Sequence, residues 1–359
     1  MRKVLLFPFS LLYGIAVILR NLFYDLGVFN VNKFKSPVIS VGNLVAGGSG
    51  KTPFIEYLIK LLSSHYRLAT LSRGYGRKTK GFILVSETAN ASLIGDEPML
   101  YHTKYKDIMV ATGEDRNEAI NKLLALQQKP EVILMDDAYQ HRSVKPGLNI
   151  LLLEYDSLFV VNLLLPAGNF REPFFYRQRA DIIVVTKTPA SLDEHKRRKA
   201  VRKINPSHKQ RVWFSYVQYL NIKPVNDIKL NFMPGKKTKV LLLTGIANPI
   251  PLKTYVESTY TLARLLRFAD HYDFSETDLK RIRRVFENIG GDEKIIITTE
   301  KDYMRLKKEN LKSIVDTLPV YTLPISIKFL HGDAEIADNT ILEYAGKNTA
   351  NRRQHSHHS

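Results

Sequence analysis

A glycine-rich segment that directly follows an apolar run constrains this chain more than any other feature. Residues 37–41 (PVISV) have the composition of a buried strand, and residues 45–52 follow with VAGGSGKT. In a strand–loop–helix unit of this kind, backbone N–H groups converge on phosphates and the lysine reaches the β and γ oxygens. The segment therefore predicts a nucleoside-triphosphate site. Its predicted binding residues are Gly47, Gly48, Ser49, Gly50, Lys51 and Thr52.

The usual phosphate-loop pattern begins with glycine, and this chain has Val45 at that position. A glycine-rich turn that only caps a helix is therefore the alternative interpretation. The preceding apolar run and the intact Lys51-Thr52 end supply the context that the motif requires, and they favour phosphate binding.

Charge and cysteine content limit the classes of partner and site. The 359 residues include 53 Lys+Arg and 35 Asp+Glu, a formal net charge of +18, which favours an anionic partner such as nucleic acid, an acidic membrane surface or a phosphorylated substrate. The absence of cysteine excludes disulfides, thiolate metal sites and a cysteine nucleophile, and it fits a reducing compartment such as the cytoplasm.

Residues 4–19 carry no charged side chain and are flanked by basic residues on both sides. As a helix they would span about 24 Å, short of the roughly 30 Å hydrocarbon core, and Pro8 interrupts the start of the segment. We interpret the segment as an interfacial or shallowly inserted anchor. A secretory signal peptide and a plain buried helix are the alternatives.

Apolar runs that alternate with longer polar segments predict an α/β fold, in which a mostly parallel, P-loop NTPase-like sheet is covered by helices. These runs are residues 38–41, 68–71, 108–111, 132–135, 150–153 and 182–185. A second, smaller α/β domain follows, with strands at 240–243, 295–297 and near 320–329 and a helix at 276–287. The predicted divisions are a membrane-associated helix (1–30), a P-loop core (31–222), the smaller domain (223–345) and a disordered tail (346–359).

Two acidic segments have positions suited to catalysis. Asp136 and Asp137 directly follow the apolar run 132–135, where P-loop enzymes hold Mg²⁺. Asp136 is the first choice of metal ligand, and Asp137 supports the metal or the attacking hydroxyl unless it is an exposed turn carboxylate. For the segment 95–98 (GDEP), the residues alone favour a helix N-cap.

Eight basic residues between positions 196 and 211 raise the question of nucleic-acid binding. No interleaved aromatic residues accompany them, so a solvated or membrane-facing helix is the favoured interpretation.

Motifs spread over most of the chain resemble the tetraacyldisaccharide 4′-kinase family, the lipid A 4′-kinases. That family also lacks glycine at the position of Val45. The motifs are SVGNL (40–44), GGSGKTP (47–53), SRGYG (72–76), GDEP (95–98), DDAYQH (136–141), LPAGNFREP (165–173), TGIANP (244–249), FADHYDF (268–274) and TTEKD (298–302).

The resemblance implies transfer of the ATP γ-phosphate to the 4′-hydroxyl of a tetraacyldisaccharide 1-phosphate, which gives lipid IVA in lipid A biosynthesis. ATP and Mg²⁺ are the implied cofactors, and the acylated disaccharide 1-phosphate lipid is the implied substrate. A basic exterior and an apolar anchor suit an acceptor taken from a bilayer. We therefore expect a monomer on the cytoplasmic face of the bacterial inner membrane, with no nucleic-acid partner.

The resemblance also implies roles for individual residues. Asp96 acts as the base near the acceptor hydroxyl with His271 assisting, and Lys51 and Asp137 complete the catalytic set. Thr52 and Asp136 bind Mg²⁺. The residues implied in acceptor binding are Arg73, Tyr75, Gln140, His141, Asn169, Arg171 and Glu172.

Two other functions remain compatible with the residues themselves. A membrane-associated switch or assembly ATPase would use the same loop to drive a conformational change and would hydrolyse triphosphate without forming a phosphorylated lipid. A nucleic-acid ATPase rests only on the net charge, and nucleic-acid-stimulated hydrolysis would support it.

Overall fold

A large sheet with seven adjacent parallel strands forms the centre of the protein in the computed structural model, which describes residues 2–270 and 272–355. Antiparallel strands close both edges of this sheet. All six apolar runs predicted to be its strands are strands in it. In spatial order the strands are β16 (Ile325–Phe329), β10 (Arg211–Tyr219), β9 (Ile182–Thr186), β8 (Leu148–Glu154), β2 (Val38–Asn43), β6 (Val132–Asp136), β3 (Leu68–Ser72), β5 (Met109–Thr112) and β4 (Ile83–Leu84).

Helices cover both faces of the large sheet, which explains why its strands are apolar without alternation. One face packs on α2 and α11, and the other packs on α5 and α6. The helices of this part are α1 (Arg2–Asp25), α2 (Lys51–Leu62), α3 (Ala91–Ile94), α4 (Asp96–Lys104), α5 (Arg116–Leu124), α6 (Glu194–Ile204) and α11 (Asp333–His355).

A five-stranded sheet forms the smaller α/β unit that the sequence predicts. A two-stranded ribbon of β1 (Asn32–Lys33) and β7 (Val144–Lys145) is separate from both sheets. The predicted helix at 276–287 is α8, which begins with a capping box formed by Ser275 and Asp278. The strands and helices of the smaller unit are β11 (Lys223–Pro224), β15 (Val320–Leu323), β14 (Lys294–Thr299), β12 (Lys239–Thr244), β13 (Thr261–Arg267), α7 (Ile250–Thr259), α8 (Glu276–Glu287), α9 (Glu300–Leu306) and α10 (Glu309–Val315).

The end of the chain returns to the large sheet. Residues 223–345 therefore do not form the one continuous domain that the sequence predicts. The single strand predicted near 320–329 is two strands, β15 in the small sheet and β16 in the large one, separated by Pro324. Helix α11 then buries Ala337, Ile341 and Ala345 in the core beside α2. The prediction of a disordered tail is wrong for residues 346–355, because they continue this anchored helix. Residues 356–359 lie outside the described part.

The first helix extends at both ends beyond the charge-free stretch 4–19. Helix α1 has 24 residues and includes Pro8, so at 1.5 Å per residue it spans about 36 Å. By length and composition it could cross a membrane. One narrow stripe contacts the rest of the protein through Ser10, Gly14, Val17 and Asn21, and the apolar remainder is largely exposed.

Candidate active site

The phosphate loop joins β2 to α2. Its backbone conformation requires glycine at some positions of the loop and not at others. Gly47 and Gly50 have φ angles of 116° and 83°, a region in which side chains with a Cβ are strained. Val45 is not among the residues with positive φ, so the missing first glycine does not disturb the loop. Its backbone instead forms a β-bridge with Phe170.

Buried hydrogen bonds hold the phosphate loop from inside. The Asn43 amide donates to Ser49 Oγ at 2.7 Å and to the Gly47 carbonyl at 3.4 Å. From the end of β9, Thr186 Oγ1 donates to the Ser49 carbonyl at 2.8 Å. Because Asn43 is fully buried, these bonds are shielded from water and shape the loop.

A second loop lies along the phosphate loop and carries two residues that the family resemblance implies in acceptor binding. The Ala46 N–H donates to the Asn169 carbonyl, and the Arg171 N–H donates to the Leu44 carbonyl, both at 2.7 Å. Asn169 is exposed, whereas Arg171 turns its guanidinium toward Asp137. The structure therefore brings both residues to the nucleotide-binding loop.

Asp137 is held between two cations. Lys51 Nζ lies 3.4 Å from Asp137 Oδ1, and Arg171 Nη1 lies 3.1 Å from Oδ2. Burial tends to raise the pKa of Asp137, but the two cations outweigh burial and hold that pKa below its ordinary value. Its φ of 51° turns the backbone sharply directly after β6. Asp137 is therefore an ionised part of the loop's charge system and not a free turn carboxylate.

Asp136 has a different environment although it is the next residue. It is buried, and Tyr101 OH donates to its Oδ2 at 2.9 Å. Burial, with the negative charge of Asp137 as a second cause, raises the pKa of Asp136 to about 6. Its other oxygen, Oδ1, has no hydrogen-bond partner in the described part of the chain. A buried acceptor of this kind is suited to a cation or to a water bound to one.

The donor set at this position fits Mg²⁺. Residues 2–270 and 272–355 contain no group of three or more His, Asp or Glu side chains that could hold a metal ion by themselves. Mg²⁺ in kinases uses one or two carboxylates and completes its shell with waters and phosphate oxygens. Asp136, together with the Thr52 hydroxyl in the first turn of α2, would supply the protein ligands.

The acidic start of α4 reaches across to the smaller unit. The segment 95–98 contains the N-cap of α4 as predicted: Gly95 is the N-cap residue, and Asp96 and Glu97 lie in the first turn of the helix. Arg305 of α9 donates to Asp96 Oδ2 from Nη2 at 2.6 Å and from Nε at 2.9 Å. Next to this pair, Lys301 Nζ lies 2.9 Å from Glu97 Oε1.

Arg305 is itself fixed within the smaller unit. Its side chain is 4% exposed, and its Nη1 lies 3.4 Å from Asp302 Oδ1. Asp302 Oδ2 in turn accepts from the Gly245 N–H at 3.0 Å. Asp96 therefore lies at the contact between the two units. His271, its predicted assistant, lies outside the described residues.

Three residues predicted to bind the acceptor substrate lie just after the carboxyl ends of strands β3 and β6 of the large sheet. Arg73 and Tyr75 are exposed, and His141 is partly buried. His141 Nε2 accepts from the Arg116 N–H at 3.4 Å. Burial, followed by the nearby charge of Arg116, lowers the pKa of His141 to about 4, so this imidazole is neutral at pH 7.

Glu172 does not have the geometry of an acceptor contact. Its side chain is 1% exposed, and it accepts from Asn21, Gln140 and Arg179. The acceptor-binding prediction for Glu172 is therefore corrected, because the carboxylate is enclosed by protein donors. Gln140 is partly buried and spans from Glu172 to the Asn43 carbonyl.

Sequence reasoning assigned no role to three residues that the structure places in this site. Asn43 shapes the phosphate loop, Tyr101 orients Asp136, and Arg305 pairs with Asp96. Asn43 belongs to a motif directly before the loop, which is a usable signal. Tyr101 and Arg305 carry no local signal, because their partners lie 35 and 209 positions away.

Known proteins are similar to this chain along nearly its whole length. The family model described as "LpxK: Tetraacyldisaccharide-1-P 4'-kinase" matches residues 2–344. A protein of Flavobacterium johnsoniae named tetraacyldisaccharide 4'-kinase is 44% identical over 348 residues, which cover 97% of this chain and 98% of the relative. A protein of Bacteroides fragilis with the same name is 41% identical over 359 residues, which cover 96% and 94% respectively.

The same likeness holds in three dimensions. A solved structure, described as the "apo" form of LpxK from Aquifex aeolicus in complex with ATP, superposes with a TM-score of 0.74 at 30% identity. The match covers 96% of this chain and 99% of that one.

Proposed function

The chain belongs to the tetraacyldisaccharide-1-P 4'-kinase family, and from this premise we propose how its residues divide the work. It is an ATP-dependent kinase that transfers the γ-phosphate to the 4′-hydroxyl of tetraacyldisaccharide 1-phosphate. The observation that carries the residue assignment is the phosphate loop with Lys51, Asp136 and Asp137 gathered at its base.

On the nucleotide side, the work is alignment and charge neutralisation. Backbone N–H groups of the loop and the N-terminus of α2 receive the phosphates, and Lys51 lies next to them. Arg171 approaches from the neighbouring loop and adds a second cation. Both cations pair with Asp137, which orients them before ATP arrives. Asp136 and Thr52 would hold Mg²⁺, which would supply neutralisation of the charge that develops on the phosphate oxygens.

On the acceptor side, we assign Asp96 as the group that takes the proton of the 4′-hydroxyl. A carboxylate is a suitable base when its position is fixed, and Arg305 fixes Asp96 through two donors. The assignment of His271 as its assistant rests on the family motif. Arg73 and Tyr75 are exposed beside the same edge of the sheet and are available to an acceptor.

Membrane attachment is supported by two groups of exposed apolar side chains. The outer side of α1 exposes leucine, isoleucine and phenylalanine side chains, and the loop with Phe159 and Val161 is also exposed. Lys199 of the basic helix α6 lies 5.5 Å from the centre of the Phe159 ring. An apolar surface bordered by cations suits an anionic bilayer. We therefore place the enzyme on the cytoplasmic face of the inner membrane, where ATP is available.

One experiment tests the proposed function directly. Purified protein is incubated with γ-labelled ATP, Mg²⁺ and detergent-dispersed tetraacyldisaccharide 1-phosphate, and label is measured in the lipid fraction. We expect label in the lipid at the 4′ position. Hydrolysis of ATP without labelled lipid would contradict the assignment and favour a nucleotide-dependent switch.

The raised pKa of Asp136 predicts that the Mg²⁺ concentration required for transfer depends on pH. Only the ionised carboxylate holds the ion, so a raised pKa weakens Mg²⁺ binding as pH falls through about 6. At limiting Mg²⁺ we expect transfer to fall about tenfold per pH unit below this value. Because protons and Mg²⁺ compete, a higher Mg²⁺ concentration should move the midpoint to lower pH. A midpoint that does not move with Mg²⁺ concentration would contradict the metal role of Asp136.

The exposed apolar side chains of α1 predict that substitutions there weaken membrane binding without changing nucleotide binding. Replacing exposed Leu11, Leu12, Ile15 and Leu19 together with serine removes apolar surface that would enter lipid. We expect co-sedimentation with anionic vesicles to fall at least about tenfold, and transfer to vesicle-borne acceptor to fall with it. ATP affinity should stay unchanged. Met233→Ser, at an exposed loop site distant in sequence, is the control. Unchanged vesicle binding of the fourfold variant would remove α1 from membrane attachment.

A further inference from the structure

We infer that the inner side of α1 sets the shape of the phosphate loop, so that Asn21 and Glu172 are positioning residues for ATP binding. This inference rests on the proposed function and deepens it, because it connects the membrane helix to the nucleotide site. The connection is a continuous series of hydrogen bonds from α1 to the loop.

The inner side of α1 is not built like that of a passive anchor. Such an anchor needs only its apolar exterior, but the inner stripe contains polar groups with specific partners. Ser10 Oγ donates to the Leu164 carbonyl at 3.0 Å and accepts from the Ala167 N–H at 2.9 Å. Tyr13 OH donates to the Arg171 carbonyl at 2.9 Å. The helix is therefore docked on the loop that also lines the nucleotide site.

Close packing fixes the position of α1 on this loop. A Cβ built on Gly14 would lie 2.8 Å from Leu164 Cδ1, so a larger residue here would displace the end of the Leu164 side chain. Asn21, two turns further along the same stripe, is fully buried. The contact thus sets the height and rotation of the helix at the point where it meets Glu172.

Glu172 is the first junction of the series. Its Oε1 accepts from Asn21 Nδ2 at 3.0 Å, and Arg20 Nη2 lies 3.5 Å from the same oxygen. Its Oε2 accepts from Arg179 and, at 3.3 Å, from Gln140 Nε2. A carboxylate that is 1% exposed is costly to bury, and its conformation is determined by these donors.

Gln140 and Asn43 complete the series. The Gln140 Nε2 that donates to Glu172 also donates to the Asn43 carbonyl at 2.8 Å, at the end of β2. The Asn43 side chain then donates to Ser49 Oγ at 2.7 Å, inside the phosphate loop. A buried polar group that loses a hydrogen-bond partner is destabilised. A change at Asn21 therefore requires the later side chains of this hydrogen-bonded series to move.

The inference is tested by ATP affinity without any lipid acceptor. We would use the full chain in detergent micelles and measure ATP binding in Mg²⁺ by calorimetry. Asn21→Leu removes the donor to Glu172, and it should weaken ATP binding about tenfold. Leu22→Ser changes the adjacent, exposed residue of the same helix and should stay within about twofold of the unchanged protein. Unchanged ATP affinity in a folded Asn21→Leu variant would overturn the inference.

A double-mutant cycle distinguishes the series from general stabilisation by α1. If Asn21 acts through Gln140, Asn21→Leu combined with Gln140→Leu should weaken ATP binding no more than the stronger single change. Multiplying losses would overturn the series. Should Asn21→Leu fail to fold, Glu172→Gln decides by the same ATP measurement, because its amide has one acceptor oxygen and must turn its NH2 group either toward the Asn21 donor or toward the Gln140 donor. Transfer by the unchanged protein tests the proposed function separately, so the two can fail independently.

Discussion

Replacing Lys51 with alanine is expected to lower phosphoryl transfer at least about a hundredfold while the chain remains folded. The expected loss corresponds to about 2.7 kcal/mol of transition-state stabilisation. The side chain begins α2 at the base of the phosphate loop and lies 3.4 Å from Asp137. Its removal takes a positive charge from the position where the β and γ phosphates bind.

Lys60 provides a matched control for this change, because it lies on the same helix and is exposed. Lys60→Ala should transfer phosphate at the unchanged rate. Transfer is measured with saturating acceptor, and circular dichroism and a thermal melt establish that both variants are folded. Near-normal turnover in folded Lys51→Ala would refute the phosphate-loop assignment.

The second large effect is expected at Asp96. Asp96→Asn keeps an oxygen that can accept from Arg305, but its amide cannot take a proton. The variant therefore distinguishes the role of Asp96 as a base from its role as a partner of Arg305. We expect the maximal rate to fall about a hundredfold or more, whereas ATP affinity changes by less than about threefold. Asp107→Asn, an exposed carboxylate just beyond the end of α4, is the control and should retain full activity. An unchanged maximal rate in Asp96→Asn would exclude Asp96 as the base.

Asp96 and His271 are expected to act as a unit. An imidazole can orient a carboxylate or tune its basicity, so the function of one residue depends on the presence of the other. His271→Ala should lower the maximal rate in the same manner as the Asp96 variant. The double variant should be much less impaired than the product of the two single losses. Strictly multiplicative losses would mean that the two residues work independently.

Local pattern was sufficient for most of the helices and strands and for the position of the glycine-rich loop between β2 and α2. The six apolar runs of the large sheet, α8 and the phosphate loop were all evident in the sequence, because period and composition report the environment of a single segment. The same patterns were less informative about α1. Its charge-free stretch is 16 residues long, but the helix continues through Arg20 and Asn21 to Asp25, since the inner stripe finds hydrogen-bond partners on the protein.

The division of labour among the site residues required the tertiary structure. Asp136 and Asp137 are adjacent carboxylates at the end of β6, yet burial raises the pKa of the first, and two cations lower the pKa of the second.

The sequence by itself determined the fold class, the family and the position of the phosphate loop, because each of these depends on residues that are close along the chain. Only the tertiary structure decided that Glu172 is enclosed by α1 and the core, and that Asp96 pairs with Arg305 from the smaller unit. These partners are 151 and 209 positions apart. Periodicity specifies which side of an element is buried, but it does not specify which distant side chain completes a buried charge or hydrogen bond.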